Sequence, residues 1–278
     1  MTEIIPAINA DLNSDEAQDD GFRNKPEDRE AINGVTCYRR QPVVSAGGDE
    51  YGRIAVQTHF ITRGESYCDQ IRRYVLPVYR SGDILSISEK VISMCQNHVV
   101  ERSDVTLGFW AKLLSRFAAS NEHGVAMDQP YKLQLAIDLC GLPRILFAVF
   151  CSAVTKLFGI HGVFYRIAGH EVAGIDGFYP DSAFALYRDI ALLNPVMPSK
   201  VCKEIENECG VRCMVVDAND LNVEILGKSD SLSGISDKEL SSMISDNPAG
   251  QADERTPFIL IRPRKTWEDG EFDTAASC

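Results

Sequence analysis

Short segments with a two-residue apolar period alternate along this chain with segments of helical period, and that alternation constrains its fold more than any other feature. In GRIAVQTHF, Ile54, Val56, Thr58 and Phe60 recur at every second position, the pattern of a strand with one buried face. Ser66 to Tyr79 changes period, placing Tyr67, Ile71, Tyr74, Val75 and Val78 on one helical face. Ser81-Gly82-Asp83 then turns the chain into a strand over Ile84 to Ile87, and Thr106 to Ala118 returns to helical spacing. Pro130 opens a helix that should stop at Gly141, before Pro143, and Pro198 opens another closed by Gly210. Val211 to Val216 and Phe258 to Arg262 read as further strands, and Ser236 with Glu239 is a capping-box signature. Strands interleaved with helices of this length predict α/β or mixed α/β (α+β) packing.

The 278 residues, 45% apolar and 24% charged, suffice for a substantial core without disulfide or metal staples. The net charge of −12 excludes ordinary nucleic-acid binding, which needs a basic face. Residues 1–30 hold nine acids against Arg23, Lys25 and Arg29, and residues 229–255 hold six against Lys238 and Arg255. The body between them is nearly neutral. Residues 1–48 therefore read as an acidic, largely disordered tail and linker ending at Gly47-Gly48-Asp49, residues 49–265 as the folded domain, and 266–278 as a C-terminal tail. Within the domain, 228–256 reads as an acidic helical excursion. The longest apolar run, Ile145 to Val154, falls well short of the roughly 20 residues a membrane span needs, and reads as a buried core segment. The acidic start has no signal-peptide pattern, and nine scattered cysteines suit reduced thiols, so a cytoplasmic protein with no membrane partner is expected.

Neither a P-loop, a G-x-G-x-x-G turn, an H-E-x-x-H helix nor a G-x-S-x-G elbow occurs. The most chemically loaded segment is VVDANDLNVEILG, 215–227, where an apolar strand delivers Asp217 at its carboxyl end and Asn219, Asp220 and Asn222 follow in one loop. Oxygen ligands at a strand end suit a hard cation that also holds phosphates, although the same composition makes Asx turns. In ISEKVISMCQN, Lys90 and Ser93 follow Ser88 and Glu89 just past another strand, where an ammonium and a hydroxyl can meet a phosphate or simply face solvent. FYRIAGHEVAGIDG brings Arg166, Gly169 and Asp176, and the loop NPAGQADERTPFILIR brings Gln251 and Arg262. Cys202, Cys209 and Cys213 lack the pairing of a zinc site.

Together GDILSISEKVIS, PRILFAVFCSAVTKLFG, GVFYRIAG with its downstream IDG, VVDANDLNVEILG and NPAGQ with TPFILIR resemble the coenzyme F420-0:gamma-glutamyl ligase-like family, in particular its divergent bacterial members, over residues 52–263. The resemblance implies the gamma-glutamyl ligase-like fold, with a central mixed sheet flanked by helices, and a homodimeric, metal-dependent enzyme. Such an enzyme uses GTP (or ATP) and Mg²⁺ or Mn²⁺ to join glutamate to a carboxylate on a deazaflavin precursor. It further implies that Asp217, with Asp220 and Asp176, binds metal and that Lys90 and Arg166 act on the reacting phosphate. Ser88, Glu89, Ser93, Gly169, Asn219 and Gln251 would then contact nucleotide or substrate.

The chain departs from the family where Gln96-Asn97-His98 replaces a Glu-Gly-Arg, and where no Arg-rich run follows Asp217. These differences leave two alternatives: a ligase for an unrelated carboxylate, and a non-catalytic protein that binds a nucleotide or flavin-like ligand.

Overall fold

The apolar segments do assemble into a mixed sheet, and the way its two middle strands run decides where charged groups meet. The structure, a computed structural model, describes residues 24–116, 127, 129–160, 162–178, 188–218, 223–250, 254–268 and 272. Its strands are β1 (Arg29–Ile32), β2 (Val35–Ala46), β3 (Asp49–Val56), β4 (Ile84–Ser88), β5 (Val99–Glu101), β6 (Asp176–Gly177), β7 (Ile190–Leu192), β8 (Cys213–Ala218), β9 (Val223–Lys228) and β10 (Phe258–Pro263). The large sheet has the order β1-β2-β3-β10-β4-β8-β9, and the small one β5-β7-β6. Every neighbouring pair in the large sheet is antiparallel except β4 and β8, which run parallel with Ser88 level with Val216. The fold is mixed α/β.

Helices cover both faces of the large sheet. On one, Ile54, Leu85, Ile87, Val215 and Leu260 pack against a short helix α1 (Tyr67–Gln70), the π turn Ile71–Val75 that prolongs it, and a helix later in the chain through Val201, Cys202 and Ile205. On the other, Ala55, Ile84, Met214, Val216 and Ile259 pack against Leu232, Leu240, Met243 and Ile244. Strands buried on both faces read as continuous apolar runs, which is why CMVV and FILI lack alternation. The helix α2 (Glu89–Cys95) leaves β4 and leads into β5. Beyond it, α3 (Phe109–Leu114), α4 (Pro130–Cys140), α5 (Leu142–Lys156), α6 (Val163–Ala168) and α7 (His170–Ala173) build a helical lobe with its own core, including Leu133, Ala136, Ile145, Ala168 and Val172. The other α-helices among the described residues are α8 (Pro198–Cys209) and α9 (Asp237–Ser242). Gly141 and Gly210, with positive φ, end α4 and α8 where the sequence placed the stops. Ser236 caps α9 by accepting from the Glu239 N–H at 3.2 Å.

Three expectations need correction. Residues 29–46, read as part of a tail, form β1 and β2, and Gly47 and Gly48 turn β2 into β3 with left-handed φ values of 59° and 90°. The strand was hidden by Arg39-Arg40-Gln41-Pro42 in its middle, yet Arg40 is buried because Asn24, Glu254 and the Pro248 carbonyl accept its N–H groups. Residues 145–154 are not a wholly buried segment. They lie in α5, whose Ile145 and Ala148 are buried while Phe147 and Phe150 stand in solvent. Arg262, read as a possible ligand contact, is fully buried, and its guanidinium grips both oxygens of Asp83 at 2.8 to 3.2 Å and the Val78 carbonyl at 2.8 Å. It is a clamp between β10 and the start of β4. Among the described residues no single helix is long and apolar enough to cross a membrane, and α4 and α5 are bent by 117° at Gly141.

Candidate functional site

Parallel pairing sends β4 and β8 out of the sheet at the same edge, and each carries a carboxylate there. Glu89 follows β4 directly as the first residue of α2, and Asp217 is the penultimate residue of β8. The next strand doubles the charge: β9 returns antiparallel with Glu224 opposite Asp217. Like charges directly across a ladder repel. A fourth acid arrives from the small sheet, where β6 holds Asp176 level with Leu192 of β7. Lys90 Nζ meets Asp176 Oδ2 at 2.5 Å. Thus three segments that are far apart in sequence bring Glu89, Lys90, Asp176, Asp217 and Glu224 into one electrostatic neighbourhood.

Among the described residues, four carboxylates gather there beside the ammonium of Lys90. Burial pushes the Glu89 carboxyl up to about 8, Asp217 adds repulsion, and Lys90 only partly offsets them. Burial likewise raises Asp217, with Asp176 and Glu224 adding to the rise and Lys90 and His170 opposing it. Both shifts mean that the protein pays, in stability, to hold ionised carboxylates here. His170 is fixed from behind: the buried Asn194 donates from Nδ2 to His170 Nδ1 at 2.7 Å and to the His170 carbonyl at 3.1 Å. The neutral ring then carries its proton on Nε2, 3.6 Å from Glu224 Oε1.

The rigid seat for this cluster is the contact between α2 and the small sheet. Ser93 is 1% exposed and donates to the Leu193 carbonyl at 2.7 Å, so its hydroxyl is committed to holding α2 against the segment after β7. Gln96 exchanges hydrogen bonds with the Val196 backbone, and His98 Nδ1 lies 2.7 Å from the Asn194 carbonyl oxygen. Ser88 contributes its backbone, donating from N to the Pro257 carbonyl at 3.0 Å. Gly169, at φ 103°, lets the Arg144 guanidinium lie against the turn before His170. Gly177 permits a closer approach still, since a Cβ there would run into Ile190 O and Ala191 Cα of β7.

The sequence reading placed Lys90, Glu89, Asp217 and Asp176 among the site residues, and these four are brought together. Arg166 is on the exposed side of α6, and no hydrogen bond or ion pair joins it to the cluster among the described residues. Asn219, Asp220 and Gln251 lie outside the described residues. Glu224, His170 and Asn194 were missed. For Glu224 a signal existed: two apolar segments flanking NDLN predict a hairpin, and a hairpin centred there sets 224 opposite 217. His170 and Asn194 meet only through tertiary packing.

Chemically, excess carboxylate around one ammonium can accept a hard cation, and the ammonium can meet a phosphate oxygen. Among the described residues no three His, Cys, Asp or Glu side chains are arranged to hold a metal ion together. A separate cavity of about 400 Å³ opens elsewhere, lined by Thr36, Gln57, Thr58, Arg73, Tyr74 and Arg255 among others, and no residue of the carboxylate cluster lines it. Beside it the Tyr74 hydroxyl lies 2.8 Å from His59 Nδ1, whose Nε2 is 2.8 Å from Glu65. No family model matches the chain, and no curated protein matches it.

Proposed function

We propose that this protein is a nucleotide-driven, divalent-metal-dependent amide ligase of the gamma-glutamyl ligase-like fold, joining glutamate to a small carboxylate of which a deazaflavin precursor is the favoured example. The observation that carries the reading is the ion pair of Lys90 with Asp176 beside the shared end of β4 and β8, within electrostatic reach of the carboxyls of Asp217 and Glu89. Carboxyl ends of strands are where open α/β sheets take ligands.

A carboxylate is a poor acyl donor. In the proposed reaction an oxygen of the acceptor carboxylate attacks the terminal phosphorus of GTP or ATP, displacing the nucleoside diphosphate and giving an acyl phosphate. The amino group of glutamate then attacks the acyl carbon, the amide bond forms, inorganic phosphate leaves, and the amine gives up its proton. Both steps move charge onto phosphate oxygens, and electrostatic neutralisation is the main service such a site renders. Lys90, paired with Asp176, would supply an ammonium for that purpose. Mg²⁺ or Mn²⁺ fits the donor set in kind, since the carboxylates offer hard oxygens and a dication would offset the burial, and then the repulsion, that raises Glu89 and Asp217. Asp217 and Asp176 would hold it, with Asp220 and Asn219 on the loop after β8. When bound it would neutralise the triphosphate.

The test is turnover: nucleoside triphosphate hydrolysis that requires both glutamate and the carboxylate acceptor. Hydrolysis independent of either would contradict the proposal. A second reading, a ligand-binding protein without catalysis, draws on Ser93, whose hydroxyl is spent on the Leu193 carbonyl rather than open to a phosphate. Nucleotide binding with no turnover for any amine offered would favour it.

A further inference from the structure

The cavity beside Tyr74 is lined by Arg73 and Arg255 and, among the described residues, by no acid. Four stretches of chain converge on it: the β1–β2 turn at Asn33, the residues just after β3, the π turn, and Arg255 ahead of β10. Hydrogen bonds pin these walls to one another. Asn33 donates from Nδ2 to the Pro77 carbonyl at 2.7 Å, the Gln57 N–H to the Thr36 carbonyl at 3.0 Å, and the Thr58 N–H to the Arg255 carbonyl at 2.9 Å. Tyr74 is braced by His59, which is held in turn by Glu65. Walls fixed in this way need little ordering when a ligand enters. Arg255 also lies at φ 56°, a left-handed conformation that costs a residue with a Cβ free energy and that clusters at functional sites.

We propose that this cavity binds a phosphoryl dianion, free or carried by a small molecule, between the guanidinium groups of Arg73 and Arg255. Carboxylates are plentiful in a chain of net charge −12, and Arg39, Arg53, Arg63 and Arg72 each meet one. Arg73 instead lies 5.1 Å from the centroid of the Tyr74 ring, and among the described residues neither it nor Arg255 makes an ion pair or a side-chain hydrogen bond. The acids on adjoining segments are committed elsewhere. Glu65 accepts from Thr62, Gln70 and His59, and Glu254 from the Asn24 N–H and Arg40. One guanidinium fork satisfies the two oxygens of a single carboxylate. A phosphoryl group offers three terminal oxygens and nearly two negative charges, which two forks and the Thr36 hydroxyl on the same wall match better. The volume of about 400 Å³ is that of a small-molecule site, with space beside Tyr74 for whatever the phosphoryl group is attached to. The inference is independent of the ligase reading, since no residue of the carboxylate cluster lines this cavity.

Titration calorimetry on the full chain in a buffer containing EDTA, with glycerol 3-phosphate, inorganic phosphate and succinate as titrants, tests it. Both arginines are exposed, so Arg73→Gln and Arg255→Gln should keep the wild-type circular dichroism spectrum. The expected result is saturable binding of glycerol 3-phosphate that weakens at least tenfold in each variant and vanishes when the two are combined. Asp217→Asn should bind it as the wild type does, which separates this site from the carboxylate cluster. Tighter binding of the ester than of inorganic phosphate would assign the site to a phosphorylated small molecule, and equal binding to free phosphate; either supports the proposal. No binding of either phosphate at millimolar concentration would overturn it, as would binding that survives the double variant or is lost in Asp217→Asn. Succinate binding as tightly as the phosphates would overturn the phosphoryl assignment.

Discussion

Glu89 shows how much a single side chain records of its surroundings. Unfolded, it ionises near the ordinary value of 4.5, whereas folded it holds its proton to about 8. Between those values the unfolded chain sheds a proton that the native one keeps, so this group makes the native state lose stability as pH rises from 4.5 to 8 and adds no further slope above that. Glu89→Gln removes the slope. In metal-free buffer the variant should melt higher than wild type at pH 8, by on the order of 5 °C, and show no such gain at pH 4.5. Thermal melts across that range check it, and an unchanged difference between the two pH values would contradict the burial account. At this scale the sequence was readable where chain direction alone fixes a group's position, as with Glu89 and Lys90 after β4 and Asp217 at the end of β8. It was unreadable where a third element chooses the partner. Ser93 looked like a phosphate contact until the segment after β7 took its hydroxyl, and His170 had no recognisable companion until Asn194 reached it from 24 residues away.

The element that most directly sets the site is β6, only two residues long, which carries Asp176 to Lys90. Its second residue, Gly177, lies at φ 148° against the β7 backbone, where a methyl group has no space. Gly177→Ala should therefore lift β6 from β7 and separate Asp176 from Lys90. The large sheet would stay intact, because its strands make no use of β6. Divalent-ion affinity should fall at least severalfold while the circular dichroism spectrum of the large sheet persists. Full affinity in that variant would show that Asp176 plays no part. A strand this short has no periodicity to detect, so its sequence signal was the IDG triplet alone. The same limit explains β2, where local polarity concealed a strand whose buried Arg40 is satisfied by Asn24 and by residues more than 200 positions later. It explains α5 differently. An apolar run says that a surface must be covered, and says nothing about whether the same molecule covers it.

At the scale of the whole molecule, one parallel pair in an otherwise antiparallel sheet organises everything else. β4 and β8 leave the sheet together, the helical lobe returns through β6 and β7 to the same edge, and the clamp of Arg262 on Asp83 fixes β10 beside β4 at the other end. Severing one member of such a buried pair typically costs about 3–5 kcal/mol, so the frame that aligns the strand ends is stiff. The acids it gathers repel one another, an arrangement that favours a cation over an empty cluster. Asp217→Asn isolates that trade. Titration calorimetry with Mn²⁺ on wild type and on this variant, beside melts of both proteins without metal, measures it. The account predicts that the variant binds Mn²⁺ at least tenfold more weakly and melts, metal-free, at the same or a higher temperature. Equal Mn²⁺ affinity in the two proteins would contradict it.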